Sequence, residues 1–238
     1  MVVKGIFTAL GIAAILATIA PFLKKDDWWI RAFDFPRVQI CVFTTMLSIA
    51  LFFIFGKGGF WLYLFILILI FCAGYQFVKI YPYTWLAKKQ VIKNRQATED
   101  SKISILVANV LAPNRRAADL LKIIKAKSPD IVLTLESDTW WEQQMQPLEA
   151  DYPYRVKKPL DNLYGMHLYS RLALVSPEVK YLVEEDIPSI HTSVKMRNGH
   201  RLRLYCLHPT PPSPTESETS TERDAELLMV AKHIKQTE

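Results

Sequence analysis

The chain has 238 residues, half of them apolar, and a formal net charge of +6, a length that allows one or two domains. The charge is uneven: up to residue 100 there are eleven Lys/Arg against five Asp/Glu, and from Ser101 onward eighteen of each. The neutral C-terminal half argues against duplex DNA as the main partner, because DNA binding draws on phosphate neutralisation. Cys41, Cys72 and Cys206 have spacings that exclude a zinc site or a disulfide framework and read as small buried hydrophobes.

In chain order, three uncharged apolar runs come first, at about 6–22, 38–55 and 60–78. Each approaches the ~20 residues that cross a hydrocarbon core, and none has the polar face of a buried core helix. The first also admits a signal-peptide reading, which the two further runs disfavour. Gly56–Gly59 joins the second and third runs as a tight turn, so they form a helical hairpin. Trp28, Trp29, Trp61, Tyr63, Tyr81, Tyr83 and Trp85 cluster near the expected ends, where amphipathic rings suit the headgroup layer. Residues 1–79 therefore read as a transmembrane region and 80–101 as a juxtamembrane linker, whose basic residues suit anionic lipid. With three spans, the first loop and the C-terminal half share the side richer in Lys and Arg. The charge bias thus favours the cytoplasmic side of a cell membrane.

From residue 102 the pattern becomes α/β. Lys102–Val110 reads as a strand. Asn114 is expected to cap a helix over 115–127, which Pro129 ends. Asp130–Leu135 is a second buried strand, parallel to the first, and Thr139 with Glu142 has capping-box spacing. Short strands are expected at 165–172 and 179–183. A hairpin at 190–196 and 201–207 turns on Asn198-Gly199. Residues 210–220 form a Pro- and Ser-rich loop, and Thr221 opens a last helix to Lys235.

Three polar residues stand at strand ends: Asn109, Glu136 and His208. Ligand sites in α/β sheets gather there. A carboxylate holds a hard divalent cation, an amide orients it, and an imidazole donates to a developing phosphate charge. Taken singly, each is also a common turn, helix-start or surface residue.

In order, ILVANV with Asn109, PDIVLTLE with Glu136, YPYR at 152–155, GMHLYSR at 165–171, EEDIPSI at 184–190, LYCLHPTPP with His208, and STERDAELL at 220–228 resemble the endonuclease/exonuclease/phosphatase superfamily. This is the fold of DNase I-like nucleases, sphingomyelinases and inositol-phosphate phosphatases, and the bacterial membrane-anchored members are the nearer likeness. The resemblance implies metal-dependent phosphoester hydrolysis with Mg²⁺ or Mn²⁺. Glu136 would be the metal ligand, Asn109 its support, and His208 the group on the scissile phosphate. Arg171 is a candidate for the substrate rim. It further implies a lipid-linked or other small phosphate ester as substrate, with duplex DNA not excluded, and a bacterial cytoplasmic membrane as location.

The family continues past such a last helix into a strand ending in a GDFN-type motif and closes on an Asp-His pair. The sequence shows neither. The expected architecture is thus three N-terminal transmembrane helices followed by the first half of a DNase I-like α/β sandwich over 102–238. That half-domain would have a bare sheet face, a free edge and impaired hydrolysis. The alternatives are a non-catalytic membrane-anchored binding domain, and a three-span protein whose small α/β tail is unrelated.

Overall fold

Contacts divide the chain into two units, Met1–Lys93 with Pro211–Thr221, and Asn94–Thr210 with Glu222–Glu238; the computed structural model describes residues 2–91, 94, 96 and 98–236. The first unit contains α1 (Val2–Ile19), the single turn α2 (Trp28–Arg31), α3 (Arg37–Phe55) and α4 (Phe60–Ile80). With the 3₁₀ turns that extend α1 and α4, three segments are long and apolar enough to cross a membrane: Val2–Leu23, Arg37–Phe55 and Phe60–Tyr83. They coincide with the three apolar runs.

Ala14, Leu47, Leu51, Ile66 and Leu69 pack between these helices, while Phe53 and Phe71 point outward. One polar seam crosses the bundle. Arg37 Nη1 donates to Gln76 Oε1 at 3.3 Å, and Gln76 Nε2 donates to Thr18 Oγ1 at 3.3 Å. Gln76 is fully buried, so it ties α1, α3 and α4 at one level by bonds that apolar side chains do not provide.

The loop over Pro211–Thr221 belongs to this unit. Asp27 and Thr219 form an antiparallel bridge. Trp28 N–H donates to the Glu218 carbonyl, and Ser220 N–H to the Asp26 carbonyl, each at 2.9 Å. The Asp26 carboxylate accepts from Thr221 Oγ1 at 3.2 Å and from Arg31 Nη2 at 3.1 Å. Lys93 and Arg95 of the basic linker lie outside the described residues.

The second unit is an α/β sandwich of four layers. Its elements are β1 (Ile105–Asn109), α5 (Ala117–Lys127), β2 (Ile131–Leu135), α6 (Thr139–Gln144), β3 (Tyr154–Lys158), β4 (Met166–Ser170), β5 (Leu174–Lys180), β6 (Ser189–Lys195), β7 (Arg201–Cys206) and α7 (Thr221–Gln236). The first sheet has the order β1-β2-β4-β3, the second β5-β6-β7. β1 and β2 are parallel, with Asn109 opposite Leu135, as the crossover through α5 requires. Strand alternation sends Val132 and Tyr169 to one face, against Ile124 and Trp141 of the helices. Ile131, Leu133, Met166 and Leu168 go to the other face, against Ile190, Val194 and Cys206 of the second sheet. The second sheet thus covers the first, and the expectation of a bare face narrows to β1, where Ile105 and Val107 remain 46% and 58% exposed.

Several local expectations shift. Asn114 does not cap α5; its Oδ1 accepts from Arg116 N–H at 3.2 Å in a turn just before the helix. The α6 cap is Asp138, one residue before Thr139, and accepts from Trp141 N–H at 2.8 Å. β3 was not anticipated, and β5 begins five residues ahead of the 179–183 strand. The hairpin turn at Asn198-Gly199 is as expected, with Gly199 at φ +85°. Beside it, Arg197 bonds Asp130, which also accepts from Ser104. Burial raises the Asp130 pKa, but these bonds outweigh it and hold the carboxyl below the ordinary range.

Candidate active site

Asn109 is the last residue of β1 and Glu136 follows directly on β2. The parallel register places them side by side. Val110 N–H donates to the Leu135 carbonyl at 3.0 Å, carrying the ladder one residue past the strand. Both chains then turn sharply, with Leu111 at φ +57° and Glu136 at φ +58°. This left-handed conformation is costly for a residue with a Cβ, so the surroundings must hold it.

For Glu136 they are Ser137 and Gly165. Ser137 N–H donates to the Gly165 carbonyl at 2.9 Å, and Ser137 Oγ lies 3.2 Å from Thr134 Oγ1. A Cβ on Gly165 would stand 2.1 Å from the Ser137 carbonyl oxygen, so only glycine allows this approach. Within the GMHLYSR segment nothing local marks Gly165 for this close approach, which only the tertiary contact with Ser137 reveals.

The side chains converge. Asn109 Oδ1 accepts from Leu111 N–H at 3.1 Å, which orients the amide so that Nδ2 donates to Glu136 Oε1. His208, two residues beyond β7, places Nε2 3.6 Å from the same carboxylate oxygen, and its ring lies 5.6 Å from that of Tyr164. A carboxylate, an amide and an imidazole from the two sheets thus meet at one point, with Glu136 and His208 both largely buried. A cavity of about 290 Å³ opens beside Asn109, lined also by Asn114, Arg116, Asp119 and Trp141.

Arg171 is not part of this group. Its N–H donates to the Asp130 carbonyl at the start of β2, its Nη1 to Ser128 Oγ at 2.7 Å, and its guanidinium lies 4.7 Å over the Tyr152 ring. Since β2 runs from Ile131 to Leu135, Arg171 sits at the far end, about 17 Å of strand from Glu136. This placement follows from the strand directions, because antiparallel β4 brings its last residues to the start of β2. Cys206 is buried, which pushes its thiol up to about 12, so it behaves as a hydrophobe.

The model of the Endonuclease/Exonuclease/phosphatase family matches residues 106–238. The chain belongs to this family. Among solved structures in its likeness are D. rerio TDP2 complexed with a single-strand DNA product (19% identity, 57% of this chain and 56% of that one, TM-score 0.49), the endonuclease/exonuclease/phosphatase from Beutenbergia cavernae (15%, 55% and 44%, 0.44) and the human Nocturnin catalytic domain with bound sulfate (18%, 55% and 59%, 0.43). The chain spans little more than half the length of the D. rerio protein. Comparison with curated proteins gives no match.

The residues present fit a hard divalent cation in a restricted way. Glu136 offers carboxylate oxygens at a partly open strand end. Mg²⁺ is often held by one or two carboxylates with water completing its shell. Among the described residues, however, no three His, Cys, Asp or Glu side chains gather as ligands.

Proposed function

We propose that the protein is a membrane-anchored, metal-dependent phosphoester hydrolase whose site is built on Glu136, Asn109 and His208. The observation that carries this reading is their convergence at one point from three strand ends. Glu136 would hold Mg²⁺ or Mn²⁺, and Asn109 would keep that carboxylate aimed. His208 would donate from Nε2 to a phosphoryl oxygen as charge builds there. When bound, the cation offsets negative charge on the phosphoryl oxygens and lowers the pKa of bound water. A single carboxylate holds such a cation loosely, so turnover by residues 1–238 is slow.

The three membrane-length helices favour a substrate at the bilayer, a lipid-linked or other small phosphate ester, in a bacterial cytoplasmic membrane. The charge bias favours a cytoplasmic site, and the neutral C-terminal half makes duplex DNA the poorer candidate. That no three ligand side chains gather among the described residues favours, as second reading, a non-catalytic binding domain.

The test is hydrolysis of bis-p-nitrophenyl phosphate by the full chain in detergent with Mg²⁺ or Mn²⁺. Slow, cation-dependent turnover is expected. It should be lost in Glu136→Ala and reduced about a hundredfold in His208→Ala. Turnover indifferent to Glu136→Ala would refute the site, and absence of both turnover and Mn²⁺ binding would leave the binding-domain reading.

A further inference from the structure

A cavity of about 400 Å³ lies between the outer face of the second sheet and α7. It is separate from the strand-end group and shares no residue with it. Its walls are apolar at Leu182, Met229 and Val230, and four basic side chains reach it: Lys180 from β5, His191 from β6, and Lys232 and His233 from α7. Among the described residues no carboxylate lines it. At its edge the Glu178 carboxylate lies 3.0 Å from Lys180 Nζ.

Lys180 and Lys232 bring two cationic groups to this apolar-walled space. The His191 imidazole is held below its ordinary pKa by burial first, then by Lys180 and His233, against a smaller opposing pull from Glu178. The imidazoles are also held in place. His191 and His233 meet the Tyr205 ring edge-on at 5.0 and 6.0 Å, and His191 Nε2 lies 3.1 Å from Ser189 Oγ. His191, part-buried between Ser189 and Tyr205, is thus ordered before a ligand arrives, which lowers the entropic cost of binding. The last turn of α7 presents its carbonyl end and repels anions, so any binding must come from the side chains.

We propose that this cavity is a second binding site, one that takes a phosphate-bearing group. Two lysines and two imidazoles match the charge and donor demand of a phosphate better than that of a carboxylate, which has two acceptor oxygens. The volume exceeds that of a phosphate alone, and the apolar wall suits the group that carries it. That group is either a small soluble phosphate ester or an anionic lipid headgroup, which share this chemistry.

The experiment uses the full chain in nanodiscs with ¹⁵N-labelled histidine. Inorganic phosphate is titrated into phosphatidylcholine nanodiscs, and a second sample contains phosphatidic acid. The ring signals of His191 and His233 should shift saturably and His191 should titrate at higher pH. Both effects should vanish in the surface variant Lys180→Gln/Lys232→Gln and persist in Glu136→Ala. A response to free phosphate alone assigns a soluble ligand, and one to phosphatidic acid alone assigns a headgroup. No shift with either, or a shift that survives loss of both lysines, overturns the proposal. Because Glu136→Ala leaves this readout intact, its outcome is independent of the hydrolase reading.

Discussion

Glu136 shows how packing gives a side chain a direction that its identity alone does not confer. A carboxylate after a strand is ordinarily solvated. Here the left-handed turn, the Gly165 approach and the Asn109 amide set its direction. Glu226 shows the opposite case. It is almost fully buried on α7, with Oε1 lacking a hydrogen-bond partner. Burial first, and then Glu184, raise its pKa above the ordinary 4.5. Between 4.5 and that raised value the folded chain holds a proton that the unfolded chain has lost, so stability falls as pH rises through this window. Glu226→Gln should remove that pH dependence and raise the melting midpoint near neutral pH by roughly 3 °C. Thermal melts of both proteins from pH 4.5 to 8 check this, and parallel curves would show that the carboxyl is ionised throughout.

At the scale of elements, α6 depends on Asp138. Its carboxylate accepts from Trp141 N–H and pairs with Arg115 Nη1 at 2.9 Å, joining the α6 cap to the turn before α5. Asp138→Ala should cost about 1 kcal/mol through the cap, read as a lower urea midpoint at unchanged slope; Asp138→Asn should recover most of it. In the helical unit the strap over 211–221 makes a geometric claim. Residues paired across an antiparallel bridge have Cα atoms about 4.5–5.5 Å apart, within disulfide reach. Asp27→Cys/Thr219→Cys should therefore cross-link in native membranes under mild oxidation, seen as a linked peptide by mass spectrometry. Failure to link would mean that the strap is undocked in the bilayer.

For the whole molecule, the division of character along the chain is the dominant fact. The N-terminal helices turn large apolar side chains outward, which only a nonaqueous surround makes favourable, whereas the α/β unit closes two layers of core, one between its helices and the first sheet and one between the two sheets. The chain should stay with membranes through an alkaline carbonate wash and require detergent for release. Recovery in the soluble fraction would contradict the three spans.

How much was legible beforehand follows from the range of the forces involved. The three long apolar helices, the parallel β1–β2 pair and the Asn198-Gly199 hairpin depend on local composition, periodicity and turn chemistry, and these the sequence determined by itself. Strand ends were also legible, so Asn109, Glu136 and His208 could be singled out in advance. Tertiary structure alone decided the rest. Arg171 and Glu136 both adjoin strands of the first sheet, and only the antiparallel direction of β4 sends Arg171 to the far end. Strand β3 has weak alternation of its own and exists because β4 offers it an edge. The strap and the basic cavity beside α7 join residues far apart in sequence, with no periodic signal between them. Local pattern fixes which backbone bonds a segment makes with itself; long-range packing fixes which side chains meet.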